Sequence, residues 1–317
     1  MDSKETKRTV PVPSVGADGE QPISQTPIAS IAEETTENNP PEKNYAELLR
    51  KMQRMNDPAY LPTISMNELY ENVYQSRPPV IDGLLYPGTY LFAGAPKVGK
   101  SFLMAQLAYH VSMGLPLWDY PVHKGTVLYL ALEDDHRRLQ ERLYRMFGMD
   151  GTNDLLFSIC AKQVGNGLEE QLKRFVQEHP DTKLIIIDTL QKIREAGGDK
   201  YSYANDYEVV GKLKRLADAC GVCLLLVHHT RKQQADDKFD MISGTNGLSG
   251  AADGAFLLQK EKRTDDTATL DVVGRDQQDQ RLYLTKDKEH LTWTLERMET
   301  ELWVDPPDPV LEAVAAF

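Results

Sequence analysis

From about residue 88 the hydrophobic pattern of the chain switches period repeatedly. Short apolar runs at 89–93, 126–132, 155–160, 183–188 and 222–228 have the length of β-strands. Between them, 100–113, 135–147, 168–178 and 206–220 space their apolar residues three and four apart, as one face of a helix does. Strands alternating with helices predict crossover units, hence an α/β fold with a mostly parallel sheet covered on both faces. Leu184–Ile187 and Cys223–Val227 contain no polar residue, as central strands buried on both sides require. After residue 253 the helical spacing disappears. Four short strands, 255–259, 267–273, 281–285 and 291–295, follow with turn residues between them, which predicts antiparallel hairpins extending the sheet.

The flanks read differently. Residues 1–43 carry Pro11, Pro13, Pro22, Pro27, Pro40 and Pro41 and no aromatic side chain, so they bury too little apolar surface to offset their ordering entropy and are expected to be disordered. Residues 44–87 form an arm and linker, with helical spacing over 44–56 that suits packing on a neighbouring subunit. The strand–helix domain spans 88–300. Within 301–317, Asp305–Pro309 is a stiff linker. The helical pattern that begins at Val310 and stops at Phe317 is expected either to continue into a small C-terminal element or to mark a boundary.

One stretch organises this domain. Gly94-Ala95-Pro96-Lys97-Val98-Gly99-Lys100-Ser101 follows the apolar run Thr89–Ala93 and precedes the helical spacing of Phe102, Leu103 and Leu107. It matches G-x-x-x-x-G-K-[ST], the phosphate-binding P-loop, in the strand-to-helix setting that the motif needs. Its glycines permit close backbone approach, successive N–H groups and the following helix dipole face phosphate oxygens, Lys100 reaches the β/γ-phosphates, and the Ser101 hydroxyl serves Mg²⁺. The chain is therefore expected to bind ATP with Mg²⁺.

Three other strands end in polar groups that belong around a γ-phosphate. Leu184–Ile187 ends in Asp188, the Walker B pattern, in which the carboxylate holds the Mg²⁺ shell opposite Ser101. Thr189 follows it rather than a glutamate, so the base that orients water must come from elsewhere. Val127–Leu132 ends in Glu133, Asp134 and Asp135; Glu133 is the expected base, while Asp134 or Asp135 caps the next helix. Leu224–Val227 ends in His228 and His229. Side chains alternate along a strand, so one of the pair faces the nucleotide as a sensor, His229 being preferred to His228. The C-x-x-C pair Cys220 and Cys223 brackets a helix end and a strand start, and reads as buried thiol rather than metal site.

Composition narrows the partners. Hydrophobic residues make up 41% of the 317 and charged ones 26%, which is ordinary for a globular protein. The net charge of −12 excludes a basic nucleic-acid coat, so any polyanion must be gripped by local loops. Three cysteines provide no disulfide framework and suit a reducing compartment. With neither an apolar run of about 18 residues nor a signal peptide, a cytoplasmic location without a membrane partner is expected.

Taken together, Gly94–Ser101, Ala131–Asp134, Ile186–Asp188 and Val227–Thr230 resemble the RecA-like P-loop ATPases, and within them the RepA-type hexameric replicative helicases of plasmids, phages and mobile elements. The segment Ile242–Asp253 adds weaker support, and the likeness covers roughly residues 80–297. This resemblance implies a homo-hexameric ring with ATP between subunits and a neighbour's arginine on the γ-phosphate. Arg275 between two hairpin strands matches the finger's place, with Lys260 and Arg263 as competitors, and Arg138 or Arg142 could flank the adenine. It also implies single-stranded DNA on two long loops, Gln191–Tyr203 and Arg231–Ser249. Lys192, Arg194, Lys200, Arg231, Lys232 and Lys238 would supply positive charge there. A primase or initiator protein is a further implied partner. A regulatory or loader ATPase, using ATP as a switch on a protein, is the alternative that the acidic charge and the N-terminal tail suit.

Overall fold

The computed structural model of the chain describes residues 45, 49–50, 52–54, 56–73, 77–194, 203–230, 247–262 and 264–300. The tail 1–43, the segment 301–317, Arg263 and most of the two long loops (195–202 and 231–246) lie outside the described residues. The chain divides into two units, Met1–Val73 and Tyr74–Phe317. In the first, helix α1 (Met66–Glu71) starts at a capping box. The Glu68 N–H donates to Ser65 Oγ and the Ser65 N–H to Glu68 Oε2, which satisfies two otherwise orphaned donors.

In the second unit strands and helices alternate: β1 (Gly88–Gly94), α2 (Lys100–Met113), β2 (Thr126–Ala131), α3 (His136–Phe147), β3 (Leu155–Ser158), α4 (Leu168–Glu178), β4 (Thr182–Asp188), the short α5 (Leu190–Ile193), α6 (Tyr203–Cys220) and β5 (Cys223–His229). Short α7 (Gly247–Ala251) then leads into β6 (Gly254–Gln259), β7 (Thr267–Gly274), β8 (Gln280–Lys286) and β9 (Trp293–Thr300). The strands form a nine-stranded sheet in the order β3-β2-β4-β5-β1-β6-β7-β8-β9. Pairing is parallel from β3 through β6 and antiparallel from β6 through β9. The α/β architecture with antiparallel terminal hairpins is the one that the alternating periods predict.

Alternation along the buried strands sorts the core into two layers. Tyr90, Phe92, Val127, Tyr129, Leu184, Ile186, Leu225 and Val227 pack with Leu103, Met104, Leu107 and Val111 of α2. Their neighbours Leu91, Leu128, Ile185, Ile187, Leu224 and Leu226 pack on the other face with Val210, Leu213, Leu216 and Ala217 of α6. Each fully buried side chain of this kind contributes about 1.5–3 kcal/mol. β1 is buried along its whole length, whereas β8 alternates buried and half-buried positions, so the antiparallel part is covered more fully on one face than on the other.

Most predicted boundaries fall within a residue or two of the observed ones; the last strand does not. The chain turns through 287–292, where Asp287 Oδ1 accepts the N–H groups of Glu289 and His290 and Leu291 takes φ 61°, so β9 begins only at Trp293. Its second half is largely exposed, with Glu296, Arg297 and Glu299, so it lacks the apolar alternation that would have marked it.

Candidate functional site

Parallel strands deliver their C-terminal ends to one edge of the sheet, and five of the expected side chains meet there. β1 runs into the loop Ala95–Gly99, whose crest Ala95, Pro96 and Lys97 is exposed while Val98 is buried. Lys97 (φ 65°) and Gly99 (φ 109°) curl the backbone. At Gly99 a side chain would fail twice: its φ is left-handed, and a Cβ would lie 2.8 Å from Cζ2 of Trp293. Trp293 is fixed in turn by Gln106 of α2, which accepts from its N–H at 2.7 Å and donates to its carbonyl at 2.9 Å. The start of β9 thus buttresses the loop of β1.

Lys100 opens α2 and is only 5% exposed. Its ammonium donates to Gly94 O at 2.7 Å and Ala95 O at 3.0 Å, and stands 2.9 Å from Nδ1 of His229. Burial pushes its pKa down to about 8, against the pull of Asp188 and Glu133, so it carries its charge at neutral pH. Burial, with the Lys100 charge beside it, also lowers the pKa of His229, which favours the neutral ring that can accept from Lys100. His228 pairs in register with Ala93, and His229 with Gly94, next to the loop.

Asp188 ends β4 between two hydroxyls: Ser101 Oγ donates to its Oδ2 at 2.7 Å and Tyr129 Oη at 2.9 Å. Burial raises its pKa, opposed chiefly by those two hydrogen bonds. A carboxylate and a hydroxyl side by side suit Mg²⁺, which takes one or two protein oxygens and keeps several waters. The peptide between Asp188 and Thr189 is cis. Thr189 Oγ1 donates to Glu133 Oε1 at 3.2 Å, tying the end of β4 to the exposed carboxylate after β2.

The three acids after β2 have separate partners. Asp135 caps α3 by accepting the Arg138 N–H at 2.9 Å, and Arg142 forks onto Asp134 at 2.7 and 3.2 Å. Arg138 is exposed, with its Nε 3.5 Å from Asp135. Phe102 has Lys286 3.8 Å and Arg142 5.3 Å from its ring centroid. Sequence reasoning missed Lys286, Tyr129, Thr189 and Trp293 at this edge. Lys286 and Trp293 lie more than 180 residues from the P-loop, and no local pattern signals that return. For Tyr129 a signal did exist: a phenol hydroxyl in the middle of an apolar buried strand needs a partner.

The other expected residues lie elsewhere. Lys260 follows β6 and does reach the P-loop edge, where its ammonium donates to Asp265 O and stands 5.3 Å from the Trp293 ring. Arg275 follows β7, which runs antiparallel to β6, so it lies at the opposite edge and is 63% exposed at its side chain. Cys223 is buried at the start of β5, with its thiol pKa raised by burial, and Cys220 is half-buried. No helix among the described residues is long and apolar enough to cross a membrane.

Residues 55–235, more than half of the chain, match the family model described as AAA domain. No curated protein matches the chain. Among solved structures, the ATPase domain of G40P is similar at 14% identity and TM-score 0.57, covering 81% of this chain and 99% of its own. A DnaB-like replicative helicase, described with its interactions with primase, is similar at 15% identity and TM-score 0.57, covering 79% and 71%. A KaiC-like protein of the archaeon Pyrococcus horikoshii OT3 is similar at 15% identity and TM-score 0.51, covering 71% and 98%. These likenesses show the fold, that of RecA-like ATPase domains.

Proposed function

This chain belongs to the AAA domain family, and from that membership we propose that it is an ATP-hydrolysing, ring-forming DNA helicase or translocase. The observation that carries the proposal is a division of charge between two sheet edges. Lys100, Ser101, Asp188, Glu133 and His229 gather at one, and the exposed Arg275 stands at the other, out of reach of its own P-loop. So placed, Arg275 cannot serve its own nucleotide, and we assign it to a neighbour's. A head-to-tail contact that pairs unlike edges forms a ring where its rotation closes, which is the assembly we propose.

Within each interface the roles follow from the contacts. The loop Gly94–Lys100 presents backbone N–H groups to the phosphates, and Lys100 exchanges its carbonyl and His229 partners for phosphate oxygens. Phe102 and Arg138 border the base. Ser101 and Asp188 hold Mg²⁺, which when bound neutralises developing phosphate charge. Glu133, oriented by Thr189, takes the proton of the attacking water. His229 touches the lysine that grips the γ-phosphate, so loss of that phosphate changes a contact at the end of β5, next to the loop 231–246. Arg275 of the adjoining subunit stabilises the transferring phosphoryl group.

Single-stranded DNA in the ring channel, a hexamer, a primase or initiator partner, and replication of a plasmid, phage or mobile element in the cytoplasm complete the proposed reading. Its support is the sequence resemblance together with Lys192, Lys200, Arg231, Lys232 and Lys238 of the two long loops; Arg194, also expected there, is instead buried against Asp206 at 3.0 Å and does not contribute. ATPase turnover with and without single-stranded DNA, alongside a strand-displacement assay, tests it. Stimulation with unwinding is expected. Unchanged turnover without unwinding would instead favour a regulatory or loader ATPase, consistent with the net charge of −12.

A further inference from the structure

Asp253, at the sheet edge opposite the P-loop, is where three elements converge. Its N–H donates to Thr89 O at 2.7 Å and its Oδ2 accepts the Thr89 N–H at 2.9 Å, which locks it to the start of β1. Lys214 of α6 donates to both of its carboxylate oxygens. Arg275 gives its backbone N–H to Asp253 O at 2.9 Å, yet its guanidinium stands 3.8 Å from Oδ1, beyond hydrogen-bond reach. Side-chain exposure rises from 10% at Asp253 through 25% at Lys214 to 63% at Arg275.

One nearly buried carboxylate therefore faces two cations, and the closer one satisfies it. Lys214 is itself shared only loosely with the more exposed Asp218, 3.5 Å away. The guanidinium keeps only a solvent-screened attraction to Asp253, while its backbone is pinned. The result is a cation with a fixed base and an unengaged head. Beside it the Gln277 amide is buried, with neither its nitrogen nor its oxygen hydrogen-bonded among the described residues.

We infer that Asp253 is a positioning residue for Arg275 in the neighbouring subunit's nucleotide site, and that Lys214 leaves the finger free by occupying the carboxylate that would otherwise capture it. This rests on the proposed reading of Arg275 and adds how the finger is held. Asp253→Asn keeps an oxygen for the Thr89 N–H but loses the charge that aims Arg275. Lys214→Met leaves Asp253 to draw the guanidinium into a direct pair.

Each variant alone is expected to turn over ATP about 10–100-fold more slowly, with nucleotide affinity and ring mass unchanged and the melting temperature lowered, because each removes one partner of a nearly buried ion pair. The double variant is expected to be no slower than Asp253→Asn alone, because the carboxylate that would trap Arg275 is gone. Co-expression in mixed rings separates action on a neighbour from action within the subunit. Glu133→Gln supplies a sound finger and a dead site, so mixing it with Asp253→Asn is expected to restore turnover, as mixing it with Arg275→Ala does. Wild-type turnover in Asp253→Asn would overturn the inference. So would restoration by the Arg275→Ala mixture but not by the Asp253→Asn mixture, which would put Asp253 to work on its own β1. If neither mixture recovers, the reading of Arg275 as a finger falls, and the inference with it.

Discussion

At the P-loop edge the charged side chains meet partners inside the same chain: Lys100 has two carbonyls and His229, Asp188 has two hydroxyls, and Glu133 has Thr189. At the opposite edge Arg275 is anchored by its backbone, and among the described residues its guanidinium has no ion-pair or hydrogen-bond partner closer than Asp253 at 3.8 Å. The first edge is a cradle whose internal bonds are of the kind that phosphates and Mg²⁺ can replace one for one. The second, on the proposed reading, is a probe for a neighbouring subunit. In that reading a subunit with both edges holds two half sites and completes neither alone.

The contrast is broken most severely by removing the probe. Arg275→Ala is expected to lower turnover about 10³–10⁵-fold while single-subunit nucleotide binding, followed by fluorescence of a labelled ATP, stays unchanged. Next comes the cradle's base. Glu133→Gln should retain binding and reduce hydrolysis about 10²–10⁴-fold, measured by phosphate release; full activity there would remove Glu133 from the chemistry. A gentler change sharpens the electrostatics of the cradle. Phosphate binding raises the pKa of Lys100 from about 8, so protons are taken up on binding above that pH and affinity falls as pH rises, by at most about tenfold per unit. Calorimetry in buffers of different ionisation enthalpy reads that uptake. Smallest is Gly99→Ala, where a left-handed φ costs about 1–2 kcal/mol. The melting temperature should fall by about 2–8 °C, and nucleotide affinity with it, because Trp293 has to move.

The two edges were also unequally legible in the sequence. In the cradle, Asp188, His229 and Glu133 follow apolar runs whose length can be read locally, and Lys100 and Ser101 belong to the P-loop motif that follows another such run. Helices α3 and α4 were visible because they expose a clear 3.6-residue period, whereas α2 is buried nearly all round and was located by the P-loop that precedes it. What the sequence concealed is contact at long range. Asp253 meets Lys214 across 39 positions and Thr89 across 164, and Trp293 reaches Gly99 across 194. Arg275 was found from the resemblance, while the groups that hold it had no local signature. β9 was misplaced because an edge strand with an exposed face needs no apolar alternation, and its true start is set by the Asp287–Thr292 turn.

The proposed split site has one direct consequence for bulk behaviour. If each nucleotide needs Arg275 from a second subunit, specific ATPase activity must rise with protein concentration in step with assembly. Sedimentation and turnover measured on the same dilution series are expected to share one midpoint, with the dilute monomer binding ATP yet hydrolysing it at least about 10³-fold more slowly. A monomer that turns over at the full rate would contradict the account.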